Sequence, residues 1–222
     1  MLFLVGSPIG NLNDITFRAL SVLKEVTLVA AEDTRHSSIL LKRFEINKPL
    51  VSFHEHNEAR RTSELIEKMR AGEKVALLTD AGMPSISDPG YRIVRACIEN
   101  GIPVEVIPGP SAVLTALVGS GLPTDRFYFG GFLPVKSGQR ERELLAALAR
   151  EVTSVYFESP HRIIRSLEVI GKEDPIRSIC VARELTKHFE EYRRGEASMV
   201  LAHYTAHPPK GEITLVISGV RM

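Results

Sequence analysis

The sequence has few of the features that mark secreted, membrane-bound or disulfide-stapled proteins. Cysteine occurs only twice in 222 residues, at Cys97 and Cys180, and never as a Cys-x-x-Cys pair. Both lie in apolar stretches, so we expect reduced core side chains in a cytoplasmic protein rather than a disulfide. No apolar run approaches the ~18 residues of a membrane span. Segment 1–6 lacks the basic region of a signal peptide, so none is expected.

An excess of charge of one sign is also absent. Lys and Arg total 28 and Asp and Glu total 27, which leaves a net charge of +1. This balance gives no global basic field for nucleic acid. Basic residues do cluster within 35–43, 60–61, 136–150 and 183–194, interrupted by acids. We interpret these clusters as solvated helix faces, and contacts with an RNA backbone remain the alternative.

The order of predicted elements indicates an α/β protein with two domains. In residues 1–118, short apolar strands alternate with amphipathic helices, which predicts a mostly parallel sheet with sites at the carboxyl ends of its strands. The turn-rich stretch 119–125 marks a boundary. In residues 124–222 the pattern predicts a second α/β domain with a mixed sheet, and the segment 183–196 has no predicted strand.

Three loops that follow predicted strands carry the strongest chemical signal. The segment 79–90 contains two glycines, two prolines and two aspartates. The prolines stiffen the loop and the glycines leave backbone N–H and C=O groups accessible, which suits the binding of a small polar ligand. The segment 6–11 is neither a dinucleotide fingerprint nor a Walker loop. Ser111 is predicted to cap a helix, and helix N-termini attract carboxylates and phosphates, although a bare cap needs no ligand. A Gly-x-Ser-x-Gly elbow is absent, which excludes that hydrolase class.

Other polar and aromatic residues leave two interpretations open. Glu32 and Asp33 end a strand at the edge that carries Asp80, where they could act on a substrate or cap the next helix. His54 and His56 share a strand face, but a metal needs more ligands, so no metal site is expected. Four aromatic residues could stack bases, although core packing is the preferred interpretation. These are Phe127, Tyr128, Phe129 and Phe132.

Six ordered strings resemble the ribosomal small-subunit RNA methyltransferase I family, within the tetrapyrrole-methylase-like superfamily. They are Ser7-Pro8-Ile9-Gly10-Asn11-Leu12, Glu32-Asp33-Thr34-Arg35, Thr79-Asp80-Ala81-Gly82-Met83-Pro84, Pro108-Gly109-Pro110-Ser111-Ala112, Gly131-Phe132-Leu133-Pro134 and Ala182-Arg183-Glu184-Leu185-Thr186-Lys187. The resemblance spans Leu2 to about Gly219. It implies two α/β domains, S-adenosylmethionine in the cleft between them, and a homodimer.

The resemblance also implies which residues bind the cofactor. On the first domain these are Pro8, Asp80, Ala81, Gly82, Ile86, Ser111 and Ala112; on the second they are Phe157, Ile213 and Thr214. The porphyrin-ring methylases carry Gly-Gly-Asp-Pro where this chain has Asp-Ala-Gly-Met-Pro. That departure argues against a tetrapyrrole substrate.

The implied function is S-adenosylmethionine-dependent 2′-O-methylation of a cytidine ribose in 16S rRNA of the small ribosomal subunit. The alternatives are a small-molecule methylase of the same fold and a non-catalytic, ribosome-associated RNA-binding protein. A ribose hydroxyl must lose its proton as it attacks the methyl group, so alignment and a general base are both expected. We assign Asp33 or Glu184 nearest the hydroxyl. Arg35, Arg183 and Lys187 are assigned to phosphate, with Lys187 as a further candidate base and a surface ion pair as the simpler alternative.

Overall fold

The computed structural model describes residues 1–220 and divides the chain into two compact units. The first comprises Met1–Ser111, and the second begins at Ala112. The sequence placed this boundary at 119–125, one helix later. Cys97 and Cys180 are buried, free thiols, as predicted. Within the described residues, none of the helices is sufficiently long and apolar to cross a membrane.

The first unit contains a five-stranded parallel sheet, which confirms the predicted architecture. Its strand order is β3-β2-β4-β1-β5, and every neighbouring pair runs parallel. The strands are β1 (Leu2–Val5), β2 (Leu28–Ala31), β3 (Leu50–Ser52), β4 (Val75–Leu78) and β5 (Val104–Ile107). The strands β1, β2 and β4 are buried along their whole length. Near-continuous apolar runs are expected there because helices cover both faces of a parallel sheet.

Helices cover the two faces of this sheet in pairs. They are α1 (Phe17–Glu25), α2 (Thr34–Arg43), α3 (Glu58–Arg70) and α4 (Tyr91–Glu99), and a short 3₁₀ helix spans Leu12–Asp14. Phe3 of β1 packs in a cluster with residues of α1 and α2. Its neighbour Leu4 packs with residues of α3 and α4 on the opposite face. The alternation of side chains along a strand therefore divides this unit into two apolar cores.

The second unit contains a mixed sheet, also as predicted. Its order is β6-β7-β10-β8-β9; β6 runs parallel to β7, and the remaining pairs are antiparallel. The strands are β6 (Phe127–Phe132), β7 (Thr153–Glu158), β8 (Ser178–Arg183), β9 (Glu191–Glu196) and β10 (Ile213–Ile217). The helices are α5 (Ala112–Ser120), α6 (Ser137–Ala149), α7 (Ile163–Glu173) and α8 (Ala197–Ala206).

Packing of α5 explains why the unit boundary lies before this helix. The helices α6, α7 and α8 share one apolar core on one face of the second sheet. The helix α5 packs against β8 and β10 of the same sheet. A Cβ atom at Gly119 would collide with the ring of Tyr192 on β9, so α5 lies very close to the sheet. Sequence patterns do not reveal this tertiary contact, which places α5 in the second unit.

The strand β9 was missed, and the basic cluster 183–194 was wrongly interpreted as a helix face. The sequence of β9, Glu-Tyr-Arg-Arg-Gly-Glu, lacks an alternating apolar pattern. It lies at the edge of the sheet and pairs with β8 from Ser178↔Glu196 to Arg183↔Glu191. Charged side chains are common on edge strands, where they discourage pairing with other chains. The cluster therefore comprises the end of β8, a turn and β9.

Candidate active site

The loops that follow β1, β4 and β5 emerge at the same edge of the parallel sheet. The Ser7 N–H donates to the Gly82 carbonyl at 2.9 Å, and the Gly82 N–H donates to the Ser7 carbonyl at 3.1 Å. The buried Ser7 hydroxyl also donates to the Thr79 carbonyl at 2.9 Å. These bonds fix the first two loops to each other, so their backbone forms a rigid surface beyond the strands.

A contact between two glycines brings the third loop into this surface. A Cβ atom added to Gly6 would lie 2.7 Å from Cα of Gly109, and one added to Gly109 would lie 2.8 Å from Cα of Gly6. Real Cβ atoms essentially never approach so closely, and both partners are backbone. Glycine is therefore required at both positions for the β1 and β5 loops to touch.

The 79–90 loop has an unusual backbone. Gly82 has φ +81°, and the non-glycine residues Ser85 and Ser87 have φ +73° and +63°. Such left-handed conformations are costly for residues with side chains and concentrate at functional sites. The end of the loop is held by the buried carboxylate of Glu58, which accepts a hydrogen bond from the Gly90 N–H at 3.1 Å. The chain thus holds a strained loop in one shape.

Four carboxylates gather at this edge. Oδ1 of Asp80 accepts a hydrogen bond from the Asp33 N–H at 3.1 Å, and Oε2 of Glu32 accepts one from the Asp80 N–H at 3.3 Å. The fourth, Asp88, lies close enough to feel the charges of Glu32 and Asp80. Nδ1 of His36 lies 3.8 Å from Asp80 Oδ1. The predicted meeting of Glu32, Asp33 and Asp80 is therefore observed.

Burial and mutual repulsion change the pKa values of two of these carboxylates. Burial raises the pKa of Glu32, and the charge of Asp80 acts in the same direction. Burial raises the pKa of Asp88 to about 7, with the charges of Glu32 and Asp80 adding to the effect. Both side chains are therefore protonated more readily than a carboxylate in water.

Asp33 differs from its neighbours because it is already paired with an arginine. Its side chain caps α2 by accepting from the Arg35 N–H at 2.8 Å, and the Arg35 guanidinium binds the same carboxylate at 2.6 Å. Hydrogen bonds from the Arg35 side chain and backbone hold the pKa of Asp33 well below its usual range. Of the two interpretations, the helix cap is thus directly observed. A carboxylate with so low a pKa is a weak base.

In the second unit, Glu184 organises the turn that follows β8. Its Oε1 accepts from the Glu212 N–H at 2.9 Å and from Nζ of Lys187 at 3.0 Å. Lys187 also pairs with the Glu212 carboxylate at 3.1 Å. The hydrogen bond from the Glu212 backbone lowers the pKa of Glu184, and Lys187 adds to this effect. Burial lowers the pKa of Lys187, but its bonds to the two carboxylates outweigh burial and raise it.

These contacts argue for structural roles for the three candidates in this turn. Glu184 has φ +51°, so its own backbone depends on the bonds that it makes. Lys187 lacks the lowered pKa that a lysine base requires. Arg183 donates from Nε to Glu191 at 3.1 Å, across the β8–β9 pair, and from a terminal nitrogen to the Lys210 carbonyl at 3.2 Å. Arg183, Glu184 and Lys187 are therefore all engaged in ion pairs, which was the simpler of the two interpretations from the sequence.

The proposed cofactor residues lie on both units. In the first unit, Pro8, Asp80, Ala81, Gly82, Ile86 and Ser111 all belong to the strand-end loops, and Ile86 is exposed. In the second unit, Ala112 is the first residue of α5, which packs on β10. Thr214 of β10 pairs directly with Phe157 of β7, and Ile213 pairs with Glu158. The Phe157 ring also contacts Phe129 and Phe132 at centroid distances of 5.2 Å.

Sequence reasoning named the 79–90 loop but did not select Asp88 as a site residue. The sequence feature that could have indicated Asp88 is that it is the second aspartate of this loop. Only the fold shows that its side chain lies near Glu32 and Asp80. His54 and His56 lie with their ring centroids 6.0 Å apart. In residues 1–220 the structure contains no group of three or more His, Cys, Asp or Glu residues that could hold a metal ion.

Comparisons with known proteins identify the class to which this arrangement belongs. The family model for tetrapyrrole (corrin/porphyrin) methylases matches residues 1–200. Solved structures of the same fold include a uroporphyrin-III-C-methyltransferase from Thermus thermophilus, with a TM-score of 0.68 and 24% identity over 97% of this chain and 93% of that one. A diphthine synthase has a TM-score of 0.73 and 16% identity over 98% and 89%. The chain therefore belongs to this class, and its fold is the fold of the class.

Closer relatives define the family within the class. Proteins named ribosomal RNA small subunit methyltransferase I are 47% identical in Thermotoga maritima, over 98% of both chains, and 46% identical in Escherichia coli O157:H7, over 98% of this chain and 77% of that one. The Synechocystis relative is 48% identical over 99% of this chain and 79% of its own length. The chain belongs to the ribosomal RNA small subunit methyltransferase I family and is a methyltransferase.

Proposed function

We propose that this methyltransferase transfers the methyl group of S-adenosylmethionine to the 2′-oxygen of a cytidine ribose in 16S rRNA of the small ribosomal subunit. The observation that supports this most directly is 46–48% identity, over almost the whole chain, to relatives named for small-subunit ribosomal RNA. The loop string that departs from the porphyrin-ring methylases favours RNA over a tetrapyrrole. We further propose that the protein acts in the cytoplasm as a homodimer.

The chemistry of the strand-end site fits S-adenosylmethionine. This cofactor carries positive charges on its sulfonium and on its amino group, and one negative charge on its carboxylate. Glu32, Asp80 and Asp88 place three carboxyl groups at the loop surface, and the charges of neighbouring carboxylates add to the effect of burial in raising the pKa values of Glu32 and Asp88. A cationic ligand would relieve this repulsion. We therefore assign these three carboxylates to the methionine side of the cofactor.

When bound, the cofactor supplies an electrophilic methyl group on a good leaving group. The chain must then align the ribose oxygen with that methyl group and remove the hydroxyl proton. Among the carboxylates of the site, Asp88 has a pKa of about 7, close to the value that suits a general base at neutral pH. Asp33 is held well below that range, and Glu184 and Lys187 are engaged in structural ion pairs. We therefore propose Asp88 as the base in place of those three residues.

The first experiment tests the reaction itself. Ribose methylation would be mapped along 16S rRNA from cells that contain the gene, cells that lack it, and cells that carry Asp80→Asn or Asp14→Asn. Asn at position 80 keeps an acceptor for the Asp33 N–H but removes a charge, whereas Asp14 lies exposed in the 3₁₀ helix. We expect one methylated cytidine to be lost in the deletion and in Asp80→Asn, and retained in Asp14→Asn.

Two outcomes would contradict the proposal. If 16S rRNA methylation is identical in all four strains, the substrate is not this RNA, and a small-molecule methylase becomes the better assignment. If calorimetry detects no binding of S-adenosylmethionine to the purified wild-type protein, the cofactor assignment is wrong.

A further inference from the structure

The strand β6 presents aromatic side chains to solvent instead of burying them. It forms one edge of the second sheet, where its partner is β7. Phe127 is 39% exposed, Tyr128 is 38% exposed and Phe132 is 61% exposed. The preferred sequence interpretation, core packing, is therefore wrong for these three residues, although Phe129 is partly buried.

The backbone of β6 fixes the positions of these rings. The register with β7 shifts between Phe129 and Phe132, as at a β-bulge, which redirects the following side chain. A Cβ atom at Gly130 would collide with the ring of Tyr156, and Gly131 has φ +68°. Two consecutive glycines are thus needed for this bend. The Phe132 ring rests against Phe157 and remains largely exposed.

Arginines hold both the aromatic strand and the turn that follows it. The guanidinium of Arg150 lies 3.9 Å from the centroid of the Tyr128 ring and donates to Glu143 at 3.1 Å. The side chain of Arg140 is buried in α6 and donates to the carbonyls of Pro134 and Val135 at 3.3 and 3.0 Å. The turn from β6 to α6 is therefore a fixed part of the surface.

The segment that carries these rings has a small positive net charge. Residues 125–150 contain five arginines and lysines and three acidic residues. Arg126, Lys136 and Arg142 are exposed. Arg126 has a loose ion pair with Asp125 at 4.0 Å, Arg142 donates to the Gly138 carbonyl, and Glu143 is engaged by Arg150 and Tyr156. Exposed rings with interspersed cations complement an anionic, flat-faced polymer better than an apolar protein surface.

We propose that β6 and the turn to α6 bind an unpaired stretch of the RNA substrate. Its bases stack on Phe127 and Phe132, and its phosphates contact the exposed cations Arg126, Lys136 and Arg142. Stacking on aromatic rings combined with Arg and Lys contacts to the backbone is the usual chemistry of single-strand binding. This inference rests on the proposed function, because it takes ribosomal RNA as the substrate.

The test compares aromatic and cationic variants for binding to 16S rRNA fragments at several salt concentrations. Phe127→Ala and Phe132→Ala should each weaken binding by roughly tenfold, the scale of one lost base stack, without changing the salt dependence. Phe132→Tyr retains a ring and should bind as wild type. Arg126→Ala and Lys136→Ala should each reduce the slope of log affinity against log salt by about 0.7.

Phe189→Ala is the matched control, since Phe189 is 66% exposed in the same unit, in the turn before β9. Its RNA affinity should match that of the wild type. Circular dichroism and thermal unfolding would establish that each variant folds; if Phe132→Ala does not, Phe127→Ala and the two cationic variants carry the test.

Three results would overturn the inference. One is wild-type RNA affinity in folded Phe127→Ala and Phe132→Ala. Another is an equal loss in Phe189→Ala. The third is a loss of self-association in analytical ultracentrifugation with unchanged RNA affinity, which would make this surface an interface between two copies. If the wild type itself binds no 16S rRNA fragment, both the proposed function and this inference fail. If the wild type binds and the aromatic variants bind equally well, only this inference fails.

Discussion

Asp88 shows how the surroundings of one residue can change its chemistry. Its pKa in the folded protein is about 7, against an ordinary value of 3.8, so the folded state binds this proton more tightly than the unfolded chain does. The stability contributed by protonated Asp88 is therefore complete at low pH and is lost as pH rises towards about 7. Asp88→Asn removes this dependence.

We expect the melting temperature of Asp88→Asn minus that of the wild type to increase by at least about 3 °C from roughly pH 4 to pH 8. Thermal unfolding of both proteins across this range measures the difference. Asp14→Asn controls for the loss of a carboxylate elsewhere in the first unit. A constant difference between Asp88→Asn and the wild type at every pH would show that Asp88 titrates normally.

The same residue provides a kinetic prediction. If Asp88 removes the ribose proton, Asp88→Asn should lower the single-turnover rate with saturating RNA and cofactor by about 10²-fold or more. The wild-type rate should increase with pH and level off below about pH 7, because the bound cationic cofactor lowers the pKa of Asp88, whereas the variant should lack this transition. Unchanged rate and pH profile in Asp88→Asn would leave alignment alone to account for the reaction.

Glu184 gives a contrasting prediction, because its pKa is lowered by the Glu212 backbone and by Lys187. Its contribution to stability is present above the ordinary pKa of 4.5 and is lost as pH falls below that value. Glu184→Gln should lower the free energy of unfolding by about 1–2 kcal/mol at pH 7 and by less at about pH 3. Urea unfolding at both values tests this.

The outcome for catalysis separates the two roles of Glu184. If Glu184 only positions the turn, folded Glu184→Gln should retain most of the wild-type single-turnover rate. A rate loss of about 10²-fold with wild-type stability would instead make Glu184 a catalytic residue.

At the scale of the elements, the contact between the β1 and β5 loops depends on two glycines. Gly6→Ala or Gly109→Ala should force these loops apart, because the new methyl group would overlap the partner's backbone. We expect a loss of about 1–3 kcal/mol in the free energy of unfolding, typical of overpacking, together with weaker cofactor binding.

Gly138 provides the matched control for this prediction. It lies in α6 with an unstrained backbone, and a Cβ atom there would meet nothing within 4 Å. Gly138→Ala should stabilise the protein by about 0.5–1 kcal/mol, because alanine is the better helix former. Urea unfolding of the three variants would contradict the close-contact account if Gly6→Ala and Gly109→Ala matched Gly138→Ala.

For the whole molecule, the family resemblance predicts a homodimer. Light scattering should give a molar mass of about twice the 24.6 kDa of one chain. Most soluble homo-oligomers are closed symmetric assemblies, and the twofold dimer is the commonest. A fully active monomer at assay concentrations would exclude the dimer as a requirement for activity.

The sequence by itself determined the α/β class, the parallel first sheet, the mixed second sheet and most of the elements. It could do so because burial on both faces imposes apolar strands, and amphipathic spacing imposes helices. The motif strings also indicated the family, since loops that approach a ligand closely tolerate few residue types.

Only the tertiary structure decided which residues meet. The strand β9 escaped prediction because its pairing with β8 compensates for a polar sequence. The prediction of core packing was wrong for Phe127, Tyr128 and Phe132. A strand at a sheet edge buries less of each ring than a central strand does. The neutral-range pKa of Asp88 arises mainly from burial in the folded protein, and the charges of Glu32, which is distant in sequence, and of Asp80 add to it. Long-range packing, absent from local patterns, sets each of these outcomes.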